Sequence, residues 1–81
     1  MEDREILDCI RALVAQEHRL RTLRDEGRMS ESLEHERLTE VEQNLDQMWD
    51  LLRRRRAMRA AGLNPDLVDR RPAMQVNAYV G

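Results

Sequence analysis

The sequence predicts an all-α protein: an antiparallel two-helix hairpin of coiled-coil type that dimerises into a four-helix bundle and carries a short C-terminal tail or helix. Three observations carry this expectation. Apolar residues recur every three or four positions along two long stretches, and one glycine and one serine punctuate the gap between them. Charged residues make up 37% of the 81 positions and aromatics only 2%, a mix that suits long solvated helices better than a sandwich. A chain of this length is also near the limit at which a single core stabilises itself, so help from a second copy is expected.

The first helix is expected over 3–26. Ile6, Ile10, Leu13 and Leu20 form its stripe with Leu7 and Val14 beside it, and Asp3 and Glu5 sit where acids favour a helix N-terminus. Gly27 is placed to end this helix, and Ser30 to accept hydrogen bonds from the first free amides of the next, with Glu31 behind it. The loop is thus 27–29, and so short a connection makes neighbouring helices antiparallel.

The second helix is expected over 30–61. Leu38, Val41, Leu45, Met48 and Leu52 share one face, bordered by Trp49, and the helix runs on into Arg53, Arg54, Arg55, Arg56 and Arg59. It ends at Ala60, Ala61 and Gly62, completing a hairpin domain of residues 1–61. In the remaining stretch, 62–81, Leu63, Asn64, Pro65 and Asp66 read as a turn. Pro72 is placed to open a short helix over 72–80 in which Val76, Tyr79 and Val80 share a face, and the same residues read equally as a tail.

Facing residues of an antiparallel pair have position numbers that add to a constant, and here 58 fits: Ile6 meets Leu52, Ile10 meets Met48, Leu13 meets Leu45 and Leu20 meets Leu38. Asp3 then falls opposite Arg55 and Arg24 opposite Glu34, exposed pairs worth about 0.5 kcal/mol each. A flanking seam sets Leu7 beside Trp49, Val14 beside Glu42 and Arg21 beside His35. Glu17 interrupts the first stripe opposite Val41. Either Arg21, one turn on, satisfies its carboxylate, or a group from another chain does. Burying Leu7, Val14 and Trp49 against a second copy completes the homodimer, and Val76, Tyr79 and Val80 folded back over the seam would cap a monomer instead.

Cys9 is the sole cysteine, so neither an internal disulfide nor a cysteine-based metal site can form within one chain. No signal pattern opens the sequence, no apolar run approaches the ~18 residues that span a bilayer, and a cytoplasmic protein without membrane contact is expected. His18 and His35, with Glu17 and Glu42, are the metal-ligating candidates, about 6 Å apart along the axis in this register. The Glu-x-x-His spacing of bundle di-metal proteins is absent and a two-helix layer cannot exclude water, so no metal, cofactor, small-molecule substrate or catalysis is expected.

Residues 1–50 sum to a charge of −7 and residues 51–81 to +5, and all fourteen cations are arginine. The expected role is therefore a structural or adaptor one, without enzymatic activity: a hairpin that binds an unidentified protein through charged surfaces, with Arg53, Arg54, Arg56, Arg59, Trp49 and Glu17 as interaction residues. The alternative is RNA or DNA binding through the arginine-rich helix end. Four consecutive arginines point around the whole helix instead of forming one face, and the net charge of −2 also opposes it.

The stretches AQEHRLRTLRDEG at 15–27 and LEHERLTEVEQNLDQMWDLLRRRRAMR at 33–59 resemble a family of short helical-hairpin proteins from G+C-rich bacteria, a domain of unknown function. The resemblance covers nearly the whole chain and is clearest at Glu17-His18, Glu34-His35 and residues 46–56. It implies the hairpin fold and assigns no reaction, cofactor, partner or site residue.

Overall fold

The computed structural model describes residues 1–68. They form helix α1, Asp3–Asp25, helix α2, Glu31–Ala60, and a 3-10 turn, Pro65–Leu67, with no strand among the described residues. The helices stop one residue short of the expected 26, 30 and 61 because Glu26, Ser30 and Ala61 are half-in cap residues. The segment expected at 72–80 lies outside the described residues.

Both helices end in the same device. Gly27 adopts a φ of 71° and Gly62 one of 74°, the left-handed region that glycine enters without steric cost. The N–H of Arg28 then reaches the carbonyl of Leu23 at 2.9 Å while that of Gly27 reaches Arg24 at 3.0 Å. At the second end Leu63 bonds Met58 at 2.8 Å and Gly62 bonds Arg59 at 3.1 Å, so each helix closes with a Schellman motif that satisfies its last carbonyls. Ser30 opens α2 by accepting from the amide of Leu33 at 3.2 Å. Its counterpart at α1 is the amide of Glu2, which donates to Glu5 Oε1 at 3.1 Å.

Ion pairs at the two ends show that α1 and α2 pack antiparallel. Asp3 meets Arg55 at 2.7 Å at the open end, and Arg24 meets Glu34 at 3.3 Å beside the loop. Both pairs fit the constant of 58. Between them Ile6, Ile10, Met48, Leu51 and Leu52 form one buried cluster, with Ile6 and Leu52 fully enclosed. Toward the loop the packing thins. Leu13, Leu45, Leu20 and Leu38 are only half-buried and Val41 alone of that half's stripe is buried, so enclosure is densest at the open end.

That end is closed by the chain beyond α2. Val68 packs against the cluster, and Leu51, which the stripe read from the sequence leaves out, is 2% exposed in the same cluster. The Asp3–Arg55 pair is correspondingly not the exposed contact expected, since the Arg55 side chain is 4% exposed. Its Nη1 also donates to the Pro65 carbonyl at 3.2 Å and to Asp66 Oδ1 at 2.9 Å. One guanidinium thus ties the start of α1, the end of α2 and the C-terminal turn together.

Candidate interaction surface

The two broad sides of the hairpin differ. Asn44, Leu51 and Met58, seven residues apart, run along one flank of α2, while Glu42, Trp49 and Arg56, also seven apart, run along the roughly opposite flank. The 3-10 turn docks on the first flank, where Arg54, Ala57, Met58, Ala61, Leu67 and Val68 line a cleft of about 400 Å³. On the same side Cys9, Ala12, Leu13, Gln16, Asn44 and Met48 line a second cleft of about 310 Å³. Nothing docks on the Trp49 flank among the described residues. Trp49 is 41% exposed and Val14 49%, with Leu7 half-buried between them and the core.

The arginine block divides by burial. Arg54 lies 3.5 Å from Asp50, Arg55 is enclosed in its clamp, and Arg59 reaches Asp3 through Nη1 at 2.9 Å and Nη2 at 3.0 Å. These bonds, from Arg59 first and Arg55 next, hold the Asp3 carboxyl well below the usual carboxylate range, and Asp3 raises both guanidiniums in return. Arg53 and Arg56 are exposed, and they continue the Trp49 flank in steps of four and three. Of the six expected interaction residues the structure therefore brings Trp49, Arg53 and Arg56 onto one side, and it sets Arg54 and Arg59 to other work.

Glu17 takes the simpler of its two expected partners, with Arg21 Nη1 at 3.1 Å, although its side chain is only 22% exposed. His18, His35 and Glu42 are exposed, and no group of three or more His, Cys, Asp or Glu side chains among the described residues is arranged to hold a metal ion. No helix among the described residues is long and apolar enough to cross a membrane. The sequence reading missed Asp66 and the Pro65 carbonyl as partners of Arg55. Only the turn-forming Asn64-Pro65-Asp66 hinted at them, and a turn signal does not say where the chain goes next.

The sequence matches the DUF2630 family, described as a protein of unknown function, over residues 2–81. The chain belongs to this family. An uncharacterized protein of Mycobacterium bovis is 49% identical over 79 residues, covering 98% of this chain and 91% of the relative. Uncharacterized proteins from two strains of Mycobacterium tuberculosis match with the same identity and coverage. No solved structure matches the chain. Membership thus spans both helices and the C-terminal turn, and the family's description carries no reaction or partner.

Proposed function

We propose that this protein is a structural or adaptor hairpin without enzymatic activity, working in the cytoplasm as a homodimer in which two hairpins form a four-helix bundle and offer their charged ends to another protein. One observation carries the reading. The C-terminal turn docks on the Leu51 flank of α2, which leaves Trp49 and Val14 exposed on the other side. Exposed apolar side chains on one flank of so small a chain, with Leu7 half-buried beside them, favour an interaction surface there, and two-fold self-association is the commonest way to cover one. The capped-monomer alternative rests on Val76, Tyr79 and Val80, which lie outside the described residues.

The nucleic-acid alternative draws less support than the arginine count suggests, because Arg54, Arg55 and Arg59 each hold a carboxylate. Light scattering at micromolar concentration tests the dimer. The expected mass is twice the chain's 9.6 kDa, with Trp49 emission shifting to the red on dilution. A mass near 9.6 kDa overturns the dimer, and Trp49 buried in that monomer would favour the capped form. Sub-micromolar RNA or DNA binding near physiological salt, lost when Arg53, Arg54 and Arg56 become Gln, would put the nucleic-acid alternative first.

A further inference from the structure

We infer that the second copy packs on the Trp49 side with its open end at the same end as the first, so that α1 of each protomer lies across α2 of its partner. This inference rests on the dimer proposed above and specifies its geometry. A two-fold axis running parallel to the helices stacks residues that share an axial level. The two ion pairs Asp3–Arg55 and Arg24–Glu34 set those levels within one hairpin.

On the Trp49 side, the level of Leu7 is that of Trp49, the level of Arg11 that of Asp46, and the level of Val14 that of Glu42. The axis therefore lays Leu7 on the partner's Trp49, Arg11 beside the partner's Asp46 and Val14 beside the partner's Glu42, each twice. Arg11 is available for this. Its present bond to Asp8, at 3.1 Å, is a solvated surface pair with side chains 76% and 61% exposed.

The other two-fold arrangement, with open ends at opposite ends, fits less well. Centred between Trp49 and Val14, it sets Arg11 near Arg11 and Asp46 near Asp46 across the axis, and it exchanges Leu7 on Trp49 for Leu7 on Val14, with Trp49 over Glu42. Like charges at the centre of an interface are poorly screened, whereas those at its rim are screened by salt over a Debye length of ~8 Å. In the inferred arrangement the like charges are at the rim. Exposed Arg4, Arg53 and Arg56 of both protomers gather at the open end, among the exposed carboxylates of Glu2, Glu5 and Asp8 that temper their repulsion.

Cross-linking the full chain in a Cys9→Ser background tests this. Arg11→Cys protein mixed with Asp46→Cys protein is expected to give a mixed disulfide under mild oxidation, while neither variant alone gives a cross-linked dimer. A cross-linked dimer from either variant alone, or no mixed product, overturns the arrangement. Arg11→Asp and Asp46→Arg should each weaken the dimer about tenfold, and the double exchange should recover most of that loss. Failure of the arrangement is separable from failure of the dimer itself, because light scattering on the unaltered chain reports the dimer independently.

Discussion

Arg55 Nε donates to Asp3 Oδ1 over 2.7 Å, joining residues 52 positions apart, and the same guanidinium holds the C-terminal turn through Asp66 and the Pro65 carbonyl. The clamp sits where the helix pair would otherwise fray. It also lies beside Ile6 and Leu52, the fully enclosed side chains among the described residues.

Arg55→Ala should therefore cost about 2–3 kcal/mol, since it removes charge-assisted hydrogen bonds to two other segments at once. Arg59→Ala, which removes an exposed, solvent-screened partner of Asp3, should cost clearly less. Urea denaturation of the two variants gives the comparison, and equal losses would contradict the clamp. Exchanging the charges, Asp3→Arg with Arg55→Asp, should restore little. An aspartate at 55 would face Asp66 and a carbonyl, both acceptors, in place of a donor.

The pH dependence follows from the depressed Asp3 carboxyl. Below the unfolded-state value near 3.9 the unfolded chain takes up a proton at Asp3 that the folded chain refuses, so stability falls as pH drops through that range toward the lower folded value. Above about pH 5 both states are ionised and the contribution is complete. The stability difference between the natural chain and Asp3→Asn should be flat there and should shrink on acidification. A difference that widens as pH falls would show that the arginines do not hold Asp3 in this way.

Core substitutions should report the uneven closure of the hairpin. Leu52, fully enclosed, should lose about 3–4 kcal/mol on replacement by alanine, whereas half-buried Leu20 should lose about 1–2 kcal/mol. Chemical denaturation followed by helical circular dichroism distinguishes the two, and equal costs would mean that the loop end is as well packed as the open end.

Much of the hairpin was legible because each of its determinants is local. The three-and-four spacing of Ile6, Ile10, Leu13 and Leu20 dictates a face, Gly27 and Gly62 dictate where backbones turn left-handed, and Ser30 restarts the helix. Even the pairing of Asp3 with Arg55 could be read, because a short loop leaves two rigid helices few ways to lie alongside each other. The surface was harder to read. The four successive arginines and Arg59 look alike in sequence, and their separation into enclosed Arg55, carboxylate-bound Arg54 and Arg59, and Arg53 and Arg56 on the open flank depends on which acids lie within reach.

By itself, then, the sequence determined two amphipathic helices, their caps and their antiparallel register, all consequences of helical periodicity and backbone stereochemistry over a few residues. Only the tertiary structure decided that the chain after Gly62 turns back onto the Leu51 flank, and with it that Arg55 is buried and that Trp49 is left on the open side. The direction of that turn depends on Val68 and Asp66 finding partners more than ten positions back along the chain. A contact of that range leaves no periodic trace in the residues that make it.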